Sequence, residues 1–216
     1  MFRPRAFDEA RPEVLAALID AFAFATVLSA GADGFEATAM PLLLDPDPAP
    51  HGTLVGHFAR ANPHWRALAP GQRVLAVFQG PDGYISPGWY PTKRRTGEVV
   101  PTWNFAAIHV HGRAQVFHDK AALRDVVTRL TDRHERARPE PWAVSDAPGA
   151  FIDRMLDGIV GLRIRVTAIE GKLKLSQNRP AEDRRGVIAG LEEKGDPAAL
   201  RLAAFMRRHG ADPATE

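Results

Sequence analysis

Six short apolar or alternating segments, most of them bounded by turn residues, constrain the fold of this 216-residue chain more than any other feature. Segments of this length and pattern favour β-strands, and their close spacing favours antiparallel hairpins. Helical segments interrupt and follow the strands, without the regular strand–helix alternation of a doubly wound sheet. The pattern therefore predicts an α+β fold built on a small, mainly antiparallel β-barrel with helices at its ends. The predicted strands span residues 25–30, 35–44, 53–58, 73–78, 105–117 and 160–169.

The length allows one domain with a substantial core and helical appendages. We expect residues 1–180 to form the barrel domain with inserted helices, and residues 181–216 to form a helical extension packed on it. In that extension Gly195, Asp196 and Pro197 separate two helical segments, and Asp196 is the expected N-cap of the second. Two helices joined by a tight turn can form a DNA-binding helix-turn-helix, but a packed αα-hairpin is the commoner interpretation.

Composition excludes several classes of function. The chain has no cysteine, which rules out disulfides, thiolate catalysis and cysteine-ligated metals. There is no run of about 18 apolar residues and no apolar signal core at the start, so we expect a cytoplasmic protein without a membrane span. The net charge of +2 is too small to indicate nucleic-acid binding by itself. The motifs of Rossmann folds, P-loop proteins, zinc proteases and serine hydrolases are absent.

Aromatic residues cluster in a polar segment, residues 78–113, that is punctuated by Gly and Pro. Rings grouped among Ser, Thr, Asn and Arg are typical of a site for a planar ligand, or of a subunit interface, with an apolar centre and a polar rim. Residues 87–101 of this segment are predicted to be a long loop with three basic residues, 93–95, at its middle. The rings are those of Tyr84, Trp89, Tyr90, Trp103 and Phe105.

Two polar segments are candidate anion sites. The first, HFARAN at residues 57–62, lies where a predicted strand runs into a helix, and Arg60 could add a bidentate donor to the free N–H groups of the helix start. Alternatively, Arg60 is solvated and Asn62 is only a helix cap. The second places Lys172 and Lys174 before the donors of residues 176–179. That segment could close over a ligand, or be a charged loop that leads into a helix.

A metal site is not indicated. His109 and His111 lie two apart on a predicted strand and therefore share a face. Together with His57 they could bind a metal ion, but two histidines without a nearby carboxylate are a weak metal signal. We interpret them as polar surface or interface residues and predict no metal.

Four ordered blocks of sequence resemble the PaiB-type family of FMN-binding negative transcriptional regulators. They are GTLVGHFARANPHW (52–65), VLAVFQGPDGYISPGWYP (74–91), VPTWNFAAIHVHGR (100–113) and EGKLKLSQNRP (170–180). The resemblance implies a split β-barrel related to those of pyridoxamine phosphate oxidases and flavin reductases. It also implies a homodimer that holds FMN in grooves at the subunit interface.

The resemblance implies cofactor contacts at five positions in the first half of the chain. The strand around Thr38 and Met40 should lie along the flavin ring, with its backbone bonding the ring's polar edge. His57, Arg60 and Asn62 should hold the phosphate.

Five further positions follow from the same resemblance. Trp103 and Asn104 should cover the flavin ring, from the same or the partner chain. Lys174, Gln177 and Arg179 should complete the pocket or the dimer seam.

Two positions depart from the family's pattern. We expect His where Ala39 precedes Met40, and Tyr where Phe105 follows Asn104. If those groups contact the cofactor in relatives, this chain lacks two hydrogen bonds, each of which contributes about 0.5–1.5 kcal/mol.

Three hypotheses for function follow. The first is an FMN-binding negative transcriptional regulator of the PaiB type, with DNA as one partner to test. The second is a flavin-dependent oxidoreductase acting on a small molecule, in which the hydride chemistry belongs to the cofactor. The third is a regulator that acts through protein partners without a ligand.

Overall fold

The computed structural model describes residues 1–31, 34–47 and 50–210 of the chain. Across these residues an eight-stranded sheet is combined with seven α-helices and three short 3-10 helices, which confirms the predicted α+β class. The strands are β1 (Asp8–Glu9), β2 (Phe24–Gly31), β3 (Gly34–Pro41), β4 (Leu43–Asp45), β5 (Thr53–Ala59), β6 (Arg73–Ile85), β7 (Thr102–Phe117) and β8 (Ile159–Lys174).

The strands follow the order β3-β2-β6-β7-β8-β5-β4, and β1 pairs with β8 beside this path. β2 pairs antiparallel with both β3 and β6, so that Val27 lies opposite Thr38 on one side and Ala76 on the other. β5 pairs antiparallel with both β4 and β8, with Leu54 opposite Ile164. The pairing of β2 with β3 and of β4 with β5 agrees with the hairpins that the spacing predicted.

Capping side chains begin two of the helices, and one of them, Asp196, is the N-cap that the sequence predicted. Asp119 Oδ1 accepts a hydrogen bond from Ala122 N and caps α4, and Asp196 Oδ1 accepts from Ala198 N and Ala199 N and caps α7. Within the described ranges no helix is long and apolar enough to cross a membrane. The helices are α1 (Pro12–Ala21), α2 (His64–Ala67), α3 (Pro91–Arg95), α4 (Lys120–Glu135), α5 (Gly149–Asp157), α6 (Ala181–Lys194) and α7 (Pro197–His209).

The chain forms two compact units, and strands β6, β7 and β8 contribute residues to both. The central unit comprises residues 16–78 and 109–169. The terminal unit comprises residues 1–15, 79–108 and 170–210. The expected division into a barrel domain and a C-terminal extension stays a prediction.

The core of the central unit lies between the sheet and helices α4 and α5. α4 presents Leu123, Val126 and Leu130 at spacings of three and four residues, so one face of the helix is apolar. Full burial of a side chain of this size contributes about 1.5–3 kcal/mol. At Gly161 a Cβ atom would lie 2.2 Å from the ring of Phe117, so the absence of a side chain lets that ring pack against the β8 backbone.

The terminal unit packs helix α6 against Trp89. A Cβ at Gly190 would lie 2.4 Å from atoms of the Trp89 ring, so the indole rests directly on the helix backbone. Val187 is fully buried on α6, and Leu202 is fully buried on α7. The two helices pack together as an αα-hairpin, the commoner of the two interpretations of this sequence.

Several elements differ from the prediction. The segment 35–44, expected as one strand, is divided between β3 and β4, and β8 continues to Lys174, beyond the predicted end at residue 169. Residues 73–85 form one long strand, β6, whereas the predicted strand ended at residue 78. β2 pairs with residues 74–78 of β6, so Pro81 lies beyond that pairing, where a missing N–H is tolerated. The basic residues 93–95 lie in helix α3 rather than in a loop, because Pro91 starts a helical turn and Arg95 pairs with Glu182. Positions 32 and 33, between the predicted strands 25–30 and 35–44, lie outside the described residues.

Candidate functional site

The ten predicted cofactor positions divide equally between the two units. The central unit holds Thr38, Met40, His57, Arg60 and Asn62. The terminal unit holds Trp103, Asn104, Lys174, Gln177 and Arg179.

A closed polar network surrounds His64, a fully buried residue of the central unit. Its Nε2 lies 2.9 Å from Ser29 Oγ, and its Nδ1 lies 2.9 Å from Thr38 Oγ1. Asn62 Nδ2 donates to the same Thr38 hydroxyl over 3.1 Å, and Asn62 Oδ1 accepts from the His64 backbone N–H over 2.9 Å. Ser29, Thr38, Asn62 and His64 are named the histidine cluster.

The polar side chains of the histidine cluster are hydrogen-bonded to one another. Burial lowers the pKa of His64, and the nearby charge of Glu36 opposes this effect only in part. A neutral imidazole has one donor and one acceptor nitrogen, which two hydroxyl groups can match. Thr38 and Asn62 therefore already have partners, and their contact with a cofactor stays a prediction.

Arg60 stabilises the junction between α5 and β8. Its Nε donates to the carbonyl of Asp157 over 2.5 Å, and its Nη2 donates to the carbonyl of Ile159 over 2.9 Å. Neither partner is a carboxylate, so the positive charge of the guanidinium is not neutralised by these bonds. Its predicted contact with a phosphate would rely on the remaining N–H groups, two on Nη1 and one on Nη2.

His57 and Met40 have less polar surroundings than the prediction requires. Met40 is 3% exposed, so any polar contact with a flavin would come from its backbone. His57 lines a cavity of about 360 Å³ together with Pro41, Leu130 and other residues of α4. Burial lowers the pKa of His57, which favours the neutral imidazole over the cation that would attract a phosphate.

Two half-exposed rings and three cations form a second group, in the terminal unit. Trp103 is 54% exposed and Tyr84 is 49% exposed, and the centres of their rings lie 6.4 Å apart in an edge-to-face arrangement. Lys172, Lys174 and Arg179 are half-buried. These five residues are named the cation–ring cluster.

The cations of this cluster contact rings and neutral oxygens. Lys174 Nζ donates to Thr102 Oγ1 over 2.6 Å and to the carbonyl of Trp103. Lys172 Nζ lies 5.3 Å from the centre of the Phe105 ring, and Arg179 Cζ lies 5.2 Å from the centre of the Tyr90 ring. Burial lowers the pKa of Lys174, and the charges of Lys172 and Arg179 lower it further. Three cations in electrostatic contact attract an anion.

Asn104 and Gln177 support the cluster from within the protein. Asn104 is fully buried, and its Nδ2 donates to Ser176 Oγ over 2.9 Å. Ser176 has a φ of 66°, which is rare for a residue other than glycine. Gln177 holds this turn, because its Oε1 accepts from Leu175 N and its Nε2 donates to the carbonyl of Leu173. The predicted ligand contacts of Asn104 and Gln177 stay predictions.

Sequence reasoning missed some residues of both groups. The sequence did not single out His64, because its partner Ser29 is distant along the chain. Tyr90 was grouped with rings that face a ligand, but it is 1% exposed and burial raises its pKa. Among the described residues, the buried oxygens Tyr90 Oη and Asp183 Oδ2 have no hydrogen-bond partner. No group of three or more His, Asp or Glu residues suited to a metal occurs in the described ranges.

Comparisons with known proteins show which family this chain resembles. The family model described as "Putative FMN-binding domain" matches residues 1–168. The chain is 34% identical over 206 residues to the protease synthase and sporulation protein PAI 2 of Bacillus subtilis, covering 95% of this chain and 96% of that protein.

Two solved structures have a similar fold. The FAD and heme binding protein from Mycobacterium smegmatis has a TM-score of 0.57 at 20% identity, over 77% of this chain and 73% of that chain. The flavocytochrome Anf3 from Azotobacter vinelandii has a TM-score of 0.56 at 16% identity, over 80% of this chain and 72% of that chain. These likenesses confirm the predicted split β-barrel. From the family match and the Bacillus relative together, this chain belongs to the PaiB-type FMN-binding domain family.

Proposed function

We propose that this chain binds FMN and acts as a negative transcriptional regulator of the PaiB type. The observation that carries the flavin part is the cation–ring cluster, in a chain whose family is described by FMN binding. Half-exposed rings suit a flat apolar ligand, and cations without a carboxylate partner suit an anionic one.

The residues present fit the two chemical halves of FMN. An isoalloxazine ring needs an apolar wall, and the exposed face of Trp103 offers one. The phosphate is a dianion or close to it, and in the described residues no carboxylate pairs with Lys172, Lys174 or Arg179. The two hydrogen bonds of Arg60 go to carbonyl groups and do not neutralise its charge. Arg60 and the cation–ring cluster are therefore two candidate sites for the phosphate.

The regulatory part of the proposal is supported by the relative from Bacillus subtilis, whose name refers to protease synthesis and sporulation. Arg207 on α7 pairs with Glu192 on α6 through bonds of 2.7 and 2.9 Å, so this basic residue is engaged within the hairpin. We therefore regard contact with DNA through this hairpin as the weaker route to regulation.

A flavin-dependent oxidoreductase is the alternative. When bound, FMN would supply the hydride chemistry. The observation that favours an enzyme is Lys174, because a lysine with a lowered pKa can donate or accept a proton near neutral pH more readily than an ordinary lysine.

We further propose a cytoplasmic homodimer with FMN at the subunit interface. Strand β3 lies at one end of the strand order and is exposed along most of its length, and Phe35 on it is 85% exposed. An exposed edge strand with a large apolar side chain is suited to pairing with another chain. Sedimentation equilibrium tests this part, and a monomer at all accessible concentrations would contradict it.

The experiment that tests flavin binding is a titration of the purified protein with FMN and, in parallel, with riboflavin. We expect perturbed absorption and quenched fluorescence with both ligands, and tighter binding of FMN because riboflavin lacks the phosphate. Arg60→Ala should weaken FMN binding by about 1.5–3 kcal/mol and leave riboflavin binding unchanged. If the protein binds neither ligand, the proposal is wrong, and the result would indicate that Ala39 and Phe105 have cost this chain its cofactor contacts.

Two further assays separate the regulator from the enzyme. Binding to a specific DNA site that survives physiological salt would support direct regulation, whereas weak and strongly salt-dependent binding is the non-specific background. Rapid reduction of bound FMN by NADH would favour the oxidoreductase.

A further inference from the structure

We propose that the terminal unit has a second binding site, for a small organic carboxylate, in a cavity along helices α6 and α7. The cavity has a volume of about 260 Å³. Its walls include the apolar side chains of Leu175, Ile188 and Met206, and its polar lining comes from Arg184, Arg185 and Arg207. None of these residues is among the predicted flavin contacts, so the inference does not depend on flavin binding.

The charge of this cavity is positive. Arg207 is neutralised by Glu192, which accepts from its Nη2 with both carboxylate oxygens. Arg184 is 9% exposed, so its guanidinium forms part of a buried wall rather than a solvated surface. Arg185 is exposed, and no carboxylate in the described ranges pairs with it. An anion that enters the cavity can therefore bind the Arg185 guanidinium without displacing a carboxylate.

The mixed lining specifies the class of ligand. A guanidinium presents a planar fork of donors that matches a carboxylate through two parallel hydrogen bonds. The apolar walls need an apolar body to cover them, which a bare inorganic anion lacks. Pockets for drug-sized ligands have volumes of about 300–1,000 Å³. A cavity of about 260 Å³ fits a smaller molecule, such as an aromatic acid with one ring.

The wall of the cavity is connected to the buried amide behind Trp103. Asn104 Nδ2 donates to Met206 Sδ over 3.5 Å as well as to Ser176 Oγ. Met206 lines the cavity, and Ser176 follows Leu175, which also lines it. A carboxylate bound here would contact Met206, which accepts a hydrogen bond from Asn104, the neighbour of Trp103. We therefore expect binding to change the fluorescence of Trp103, which offers a second readout.

The test is calorimetric titration of the full-length protein with benzoate and with benzamide, its neutral counterpart. We expect benzoate to bind at least about tenfold more tightly, because benzamide has no negative charge and only one acceptor oxygen, so it cannot form a bidentate ion pair with Arg185. Arg185→Ala should weaken benzoate binding by about tenfold or more. Arg208 is also exposed but lies outside the cavity lining, so Arg208→Ala should leave benzoate binding unchanged.

A second pair of variants tests the cavity itself. Ala181 lines the cavity and Ala189 is exposed on the same helix outside it. Ala181→Leu should abolish benzoate binding by filling space, whereas Ala189→Leu should leave it unchanged. Equal binding of benzoate and benzamide, unchanged binding in Ala181→Leu, or no binding of benzoate at millimolar concentrations would each overturn the proposal. All titrations are made without FMN, so failure here leaves the flavin proposal untouched.

Discussion

The histidine cluster and the cation–ring cluster are both built from polar residues, but they differ in how much of their bonding capacity the protein itself uses. His64 is fully buried and both of its ring nitrogens have hydroxyl partners. Lys174 is half-buried, contacts neutral oxygens and the ring of Phe7, and lies within the electrostatic reach of two other cations. One network is complete, and the other has no carboxylate partner among the residues that the structure describes.

This difference indicates different roles. A buried network that is fully satisfied stabilises one arrangement of the chain, and breaking it is costly. A group of cations without anions is destabilised by mutual repulsion until an anion binds. Contact between FMN and the side chains of Thr38 or Asn62 would compete with the hydrogen bond that joins them, whereas contact with Lys174 would relieve repulsion.

The largest expected effect is on stability. His64→Ala should lower the free energy of unfolding by about 3 kcal/mol, because it leaves a buried cavity and removes the partners of two hydroxyl groups. Urea unfolding measures the change. His134→Ala, at an exposed position, is the control and should be nearly neutral. A loss of less than about 1 kcal/mol would show that the network is not as tightly coupled as its distances indicate.

A smaller effect is expected on ligand binding at the other cluster. Lys174→Ala should weaken FMN binding by about 1.5–3 kcal/mol but riboflavin binding much less, because it removes a charge that faces the phosphate. Lys194→Ala, at an exposed position on α6, is the matched control. Because the pKa of Lys174 is lowered, FMN affinity should begin to fall with rising pH earlier than for an ordinary lysine. Equal losses in Lys174→Ala and Lys194→Ala would mean that only overall charge matters.

Removal of the exposed ring should have a still smaller effect. Trp103→Ala should weaken binding of FMN and riboflavin equally, by about 0.5–1.5 kcal/mol, because both ligands have the same ring system. Trp142→Ala removes a ring of similar exposure from the central unit and serves as the control. Fluorescence titration measures both. If Trp142→Ala weakened flavin binding more than Trp103→Ala, the flavin ring would instead contact the central unit.

The smallest expected effect is the pH dependence of stability. Burial lowers the pKa values of His57, His64 and His209. As the pH falls through about 6.5, the ordinary pKa of histidine, these residues bind protons in the unfolded chain but remain neutral in the folded chain. The free energy of unfolding should therefore decrease. His64→Gln should flatten this decrease relative to the parent protein. A profile that rises toward acid pH would contradict the assignment of neutral buried imidazoles.

The sequence predicted elements better than it predicted partners. Strands and helix caps follow from periodicity and from single residues such as Asp119 and Asp196, which act on their own neighbours. The bond between Ser29 and His64 joins residues 35 positions apart, so no local pattern could indicate it. Tyr90 illustrates the reverse error, since composition cannot distinguish a ring that faces solvent from one that is 1% exposed.

The pairing of β1 with β8 has a consequence for how the chain folds as it is made. Asp8 lies opposite Lys172, and Glu9 lies opposite Gly171. Because synthesis begins at the N-terminus, the first strand has no partner until the last strand has left the ribosome. The terminal unit, which needs residues 1–15 and 170–210 together, is therefore completed only after nearly the whole chain has emerged. Such long-range pairing makes folding slow and leaves strand edges open to other chains in the meantime.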